Sequence, residues 1–380
     1  MDGEVIERIL DLAMQIQQIP SPTFGERQRA EFIRDSFLSI GAEEVTLDDY
    51  GNVYTHITGQ GEQPPLIVSA HLDTVFPNGT DLTCVRTEDR ICGPGIGDNS
   101  LGLAGLYGLY WYFKKGKTFQ HNTSGLAGDL WLVADVGEEG LGDLQGMKAI
   151  VDRFGSEPLA YVVLEGMSLG QIYTRGLGVR RYRIRVQTKG GHSWVDYGSP
   201  SAIHEIADLV IKIKNLPVPA EPRSSLNVGV ITGGTSVNTI AAEASLELDL
   251  RSESHEELSH LIDQAETLVK DADRQGGQAV RVGAEIIGNR PAGELSTDHR
   301  LVKAAIDCFT RERIAVKLNI GSTDANIPLS RGYPAICIGL TTGSGSHTVG
   351  EYIDTKPVAH GFKILVDLVR TIFRFELDTP

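Results

Sequence analysis

Four short apolar runs constrain the fold of this 380-residue chain more than any other feature: PLIVSA at 65–70, LWLVA at 130–134, AYVVL at 160–164 and AICIGL at 335–340. A strand with one wet face alternates polar and apolar residues, whereas a run without that alternation is buried on both faces. Helical patterns at 100–115, 145–154 and 298–311 follow or separate these runs. That succession predicts an α/β sheet with helices on both faces. Residues 4–18 place Ile6, Ile9, Leu10, Ala13 and Ile16 at helical spacing, and Pro20 with Pro22 ends that helix. Thr23 to Glu26 reads as a capping box for a second helix with the stripe Phe32, Ile33 and Phe37, and Gly41 sits where its C-terminal cap belongs. Two β-rich runs, EEVTL and NVYTHI, precede PLIVSA, and the segment 356–375, with Val358, Phe362, Leu365, Val369 and Ile372, reads as a closing helix.

Between 177 and 288 the pattern changes to strand (RRYRIRVQT), helix (SAIHEIADLVIKIKN), two strands (SLNVGVITGG and EASLELDLRS), a long helix and a last strand (AVRVGAEII). A β-α-β-β-α-β unit can bury one face of a four-stranded antiparallel sheet under two helices, so it can fold by itself. Gly176 to Gly178 and residues 289–293 (NRPAG) are hinge-like. The chain therefore reads as a main α/β domain over 1–176 and 289–380, interrupted by a ferredoxin-like α+β domain at 177–288. Its length agrees with two cores, since single cores stop growing at about 250–300 residues.

Charge and composition exclude several function classes. A formal net charge of −15, with no basic block, would repel a phosphate backbone, so nucleic acid is not an expected partner. No stretch approaches the roughly 18–20 apolar residues that span a bilayer, and the N-terminus reads as an amphipathic helix with none of the basic start of a signal peptide. A cytoplasmic protein is expected. Cys84, Cys92, Cys308 and Cys337 form no C-x-x-C pair and read as small apolar residues.

The chemistry-bearing residues stand where strands run out into loops. His71-Leu-Asp73 follows PLIVSA, with an imidazole able to bind metal and a carboxylate able either to accept its other ring N–H or to support its loop. Asp98 and Asn99 stand on a glycine-rich turn, GPGIGDNS, before a helix, where either can cap the helix or Asp98 can bind metal. Glu138 and Glu139 are adjacent carboxylates after LWLVA and repel each other unless a cation or proton compensates. Glu165 ends AYVVL, where a carboxylate is costly to bury without a partner. His347 lies in the glycine-rich loop after AICIGL. All five positions lie at the edge where α/β sheets build their sites. Two histidines and three carboxylates suit two borderline-soft divalent ions that share an aspartate. One of Glu138 and Glu139 is then left over as a general base for an activated water.

The motifs HLDTVFP, GPGIGDN, VGEEGLG, VLEG, TKGGHSW, GGTSVNTI, LDLRS and SGSHT, in this order and spacing, resemble the M20 family of metallopeptidases across nearly the whole chain. That family contains carboxypeptidases, deacylases, aminoacylases and di- and tripeptidases. The resemblance implies a di-zinc catalytic domain, with cobalt or manganese as other usable ions, and an inserted lid that forms a homodimer. It implies that His71, Asp98 and Glu165 bind one ion and Asp98, Glu139 and His347 the other. It makes Asp73 the carboxylate behind the first site and Glu138 the base. His192 matches a lid histidine that reaches the partner subunit's site and polarises the scissile carbonyl. Asn238 matches a lid asparagine near the substrate, and Arg251 an arginine that grips a substrate carboxylate or else pairs, as a strand-end arginine, with a local glutamate. Asp324 falls in a pocket-side loop, contacting substrate or supporting the loop. Glutamate at 165, together with GHSWVDYGSPSAIHEI, leans the expectation to a peptidase of short peptides. The alternative is an N-acyl-amino-acid deacylase of the same family. A non-catalytic scaffold is the third reading, disfavoured because no ligand or base is missing.

Overall fold

The computed structural model describes residues 3–115 and 125–375. Two compact units emerge, Met1–Gly176 with Glu294–Pro380, and Leu177–Gly293. In the first, the four apolar runs are the parallel centre of a nine-stranded sheet. Strand Gln63–His71 pairs in parallel with Gly128–Asp135 on one side and Ala160–Glu165 on the other, and Ala160–Glu165 pairs in parallel with Ala335–Gly339. Val53–Ile57 and Gln171–Gly176 flank this centre antiparallel.

Side-chain alternation along the buried strands feeds two cores. Leu66, Val68 and Ala70 join Leu130, Leu132, Val162 and Leu164 in a core beneath the helices Gly3–Gln17, Leu101–Lys115, Arg300–Arg311 and Val358–Ile372. Ile67, Val133, Tyr161 and Val163 point to the other face, against Met147, Ile150 and Val151 of helix Gln145–Phe154 and Ile327 and Leu329 of the short helix Asn326–Ser330. Burial on both faces is what an unbroken apolar run requires, at about 25 cal/mol per Å² of apolar surface removed from water. Because the central strands are parallel, their C-terminal residues His71, Asp135 and Glu165 reach the same edge of the sheet.

One local expectation fails. Helix Arg27–Ser39 has Glu26 as its cap residue with no side-chain capping bond, so Thr23 and Glu26 do not form a capping box. The Thr23 hydroxyl donates to Asp73 Oδ2 at 2.9 Å, while Glu26 accepts the Phe24 N–H. A partner from another loop has taken the hydroxyl the box needed. Gly41 does close the helix, with φ of 83° and an N–H bonded to Leu38.

The second unit has the element order read from its sequence. Its antiparallel sheet runs Ser224–Gly233, Glu243–Ser252, Gly178–Thr188, Val280–Arg290. Ile184, Val186, Leu246, Leu248 and Leu250 pack under helices Ala202–Lys214 and His255–Gly276 through Ile206, Leu209, Leu261 and Ala265. The last strand continues to Arg290, past the expected limit at 288, because its pairing with the central strand persists to Arg290↔Val179.

Candidate metal centre

His71 is fixed before anything binds to it. Its Nδ1 lies 3.0 Å from the Asp73 carbonyl oxygen, which can only accept, so Nδ1 carries a proton and Nε2 faces the acidic groups. The Asp73 carboxylate lies 3.5 Å from Nδ1 and chiefly holds the next loop, accepting the N–H of Glu138 on Oδ1 at 3.0 Å and of Glu139 on Oδ2 at 2.9 Å. The ring N–H is thus taken by the main chain of Asp73 where its carboxylate was expected, and the carboxylate supports the neighbouring glutamate loop.

Asp98 stands between the two histidines. Oδ1 is 3.1 Å from His71 Nε2 and Oδ2 is 3.2 Å from His347 Nε2. Glu165 adds an oxygen 3.7 Å from His71 Nε2, and Glu139 one 3.3 Å from His347 Nε2. Three clusters result, in each of which the potential ligand atoms lie within 4.8 Å of one another: His71 with Asp98 and Glu165, Asp98 with Glu139 and His347, and His71 with Glu138 and Glu139. The residues fit divalent ions: donors bound at 2.0–2.2 Å in tetrahedral array are separated by about 3.3–3.6 Å, close to the spacings found.

The glycine loop lets Asp98 come this close. A Cβ on Gly166 would stand 2.2 Å from the Gly97 carbonyl oxygen, so this crossing tolerates no side chain. Asn99, and not Asp98, caps the following helix: its Oδ1 accepts the N–H of Gly102 and of Gly166, and its Nδ2 donates to the Leu164 carbonyl at 2.7 Å.

Protons balance the charge. Burial acts to strip the His71 ring, but bonds to Asp73, Asp98 and Glu165 outweigh it and hold its pKa well above the ordinary value. Bonds to Asp98 and Glu139 push His347, which is 55% exposed, up to about 10. Burial pushes Asp98 upward, yet the two histidines hold it well below the usual carboxylate range. Glu165 is raised by burial in spite of His71. The surrounding carboxylates thus favour positive charge on both imidazoles, and bound divalent ions would supply that charge as they displace the ring protons.

Two features go beyond the sequence reading, the part played by Glu351 and the partner of Asp324. Glu351, fully buried, accepts the N–H of Gly95 at 2.8 Å, Gly97 at 2.7 Å and Asp98 at 2.8 Å; burial still pushes its pKa up to about 7. Asp324, 1% exposed, faces the equally buried Asp135, and the oxygens of both carboxyls have no other hydrogen-bond partner. Burial holds both above the ordinary range; the charge of Asp135 raises Asp324 further, while the bond from Asp324 draws Asp135 down, so the proton shared by the pair rests on Asp324. Asp324 therefore meets Asp135.

Within the second unit, His192 and Asn238 are neighbours. The two-residue strand Gly191–His192 pairs with Thr239–Ile240, and the Ser193 N–H donates to the Asn238 carbonyl at 3.1 Å. Arg251 donates from Nε to Asp249 at 2.7 Å, and Asp249 also takes Arg181 at 2.9 Å. The local partner of Arg251 is thus an aspartate two residues back, where a glutamate was expected.

The fold and these side chains define an α/β domain with candidate metal-ligand clusters, interrupted by a separately packed α+β unit. The sequence profile of the M20 peptidase dimerisation domain matches residues 177–277, and that of peptidase family M28 matches residues 52–167. A succinyl-diaminopimelate desuccinylase of Corynebacterium glutamicum is 27% identical over 93% of this chain and 94% of its own. A probable carboxypeptidase of Aspergillus flavus is 26% identical over 70% of this chain and 69% of its own. The crystal structure of aminopeptidase PepT from Bacillus cereus superposes with a TM-score of 0.75 at 21% identity, covering 97% of this chain and 98% of that one. The second unit thus matches the dimerisation profile of M20 peptidases, and the chain as a whole is similar to hydrolases that act on peptide and other linear amide bonds.

Proposed function

We propose that this chain is a two-zinc peptidase that cleaves the amide bond of short peptides, with cobalt or manganese able to replace zinc. The observation that carries the reading is Asp98 presenting one carboxylate oxygen to His71 and the other to His347, with Glu165 and Glu139 completing a triad on either side. When bound, such a pair of ions lowers the pKa of water towards neutrality and offsets charge on an attacked carbonyl oxygen.

The remaining steps fall to the protein's own groups. Asp73 pins the backbone of Glu138, and the Glu138 carboxylate lies in one cluster with His71 and Glu139. Glu138 is the base: it takes the proton of the attacking water and delivers it to the leaving amine nitrogen. His192 is the lid group that stabilises charge on the carbonyl oxygen, and its neighbour Asn238 binds substrate. Arg251 has its Nε committed to Asp249, which leaves its terminal nitrogens for a substrate carboxylate. The M20 dimerisation profile supports a homodimer formed through the lid.

The similarity to a desuccinylase over nearly the full length favours a second reading, hydrolysis of N-acyl amino acids. Turnover of di- and tripeptides beside N-acetyl and N-succinyl amino acids, each with zinc, cobalt or manganese, separates the two. Activity confined to the acyl substrates would sink the peptidase reading. Glu138→Gln and His192→Ala are each expected to retain both ions while kcat falls about 10²–10⁴-fold. Undiminished turnover in either would remove that residue from the mechanism.

A further inference from the structure

The His347 loop and the Asp98 loop are far apart in sequence yet joined at two levels. At the base, strand Tyr352–Asp354 pairs antiparallel with Arg90–Cys92, and the Gly93 N–H donates to the Glu351 carbonyl at 2.9 Å. Above it, the Glu351 side chain turns back under the glycine loop. Oε2 takes the Gly95 N–H, and Oε1 takes those of Gly97 and Asp98. This buried carboxylate is four residues from His347, and one of its donors is the backbone of Asp98 itself. An acceptor-only group suits a cradle of three donors. A neutral amide would turn its NH2 towards an N–H.

The geometry points to Glu351 as a positioning residue for the ion held by Asp98, Glu139 and His347: it fixes the separation of the Asp98 and His347 loops, so that Oδ2 and Nε2 face one site. Glu351 touches neither ion nor substrate; it acts through the backbone of Asp98. The partner loop on the other side is held independently, through Asn99 bonded to Leu164 and Gly166 beside Glu165. Loss of Glu351 is therefore expected to act on the His347 subsite more than on the one formed by His71 and Glu165. This inference rests on the two-metal reading above.

Cobalt(II) titration of metal-stripped protein, followed by visible absorption and equilibrium dialysis, tests it. Parent protein is expected to take up two ions per chain. Glu351→Gln is expected to bind one with parent-like affinity and the second about 10–100-fold more weakly, the range that loss of groups supporting metal ligands typically costs. The absorption that grows with the second ion would change in shape as well as in midpoint, a signature that general destabilisation would not produce. Glu351→Asp, which keeps the charge but shortens the reach, is expected to fall between the two. Two ions in the parent with an unchanged second midpoint in Glu351→Gln would overturn the assignment alone. A parent that binds no cobalt would overturn the two-metal reading and this inference with it. Should Glu351→Gln fail to fold by circular dichroism, Glu351→Asp decides, and a parent-like second midpoint there overturns the assignment.

Discussion

Asp135 and Asp324 store an acid pair beneath the site, and the pair has a measurable consequence. A carboxyl whose folded pKa is raised binds its proton more tightly when folded than when unfolded. Stability therefore falls as pH rises from the ordinary value of 3.8 through the folded value. In Asp324→Asn a permanent amide N–H replaces the shared proton, and that loss disappears. The melting temperature of the variant is expected to exceed the parent's at pH 8 by several degrees, roughly 2–4 °C for each kcal/mol recovered, and the gap is expected to shrink at pH 5. A difference independent of pH would contradict the shared proton. His71, Asp98, Glu139, Glu165 and His347 were legible in the sequence because each follows an apolar run or a glycine turn. Nothing local marks Glu351, whose partner at Asp98 is 253 residues away, and the loop that drew attention to Asp324 gave no hint of its partner Asp135 at the end of another strand.

At the scale of elements, the four unbroken apolar runs were legible because burial on both faces leaves a mark in composition. The capping box was misread because its hydroxyl is claimed by Asp73, a contact between loops that no window of sequence contains. The lid strand Ser224–Gly233 shows a different kind of signal: it lies at the edge of its sheet and exposes Val230 and Ile231. An unpaired edge with apolar side chains invites pairing with another chain. Sedimentation equilibrium is expected to give a mass of two chains. Val230→Lys combined with Ile231→Lys is expected to raise the dissociation constant at least about tenfold, which takes only about 1.4 kcal/mol. A monomeric parent would remove the dimer from the account.

For the whole molecule, the division of labour follows from the two cores. One sheet presents five candidate metal-binding side chains from strand ends and loops, while a separately packed α+β unit carries His192 and Asn238. The β-α-β-β-α-β order of the second unit was readable because its central strands alternate and its two helices carry apolar stripes, although its end at 288 fell short of a strand whose ladder runs to Arg290. No described helix is long and apolar enough to cross a membrane. The central claim concerns what stands between His71 and His347. Anomalous diffraction at the zinc edge, from crystals of metal-loaded protein, tests it most directly. Two peaks are expected, one on each side of Asp98, the first in contact with His71 and Glu165 and the second with Glu139 and His347. A map with no peak at Asp98, or with ions bound to other side chains, would contradict the account.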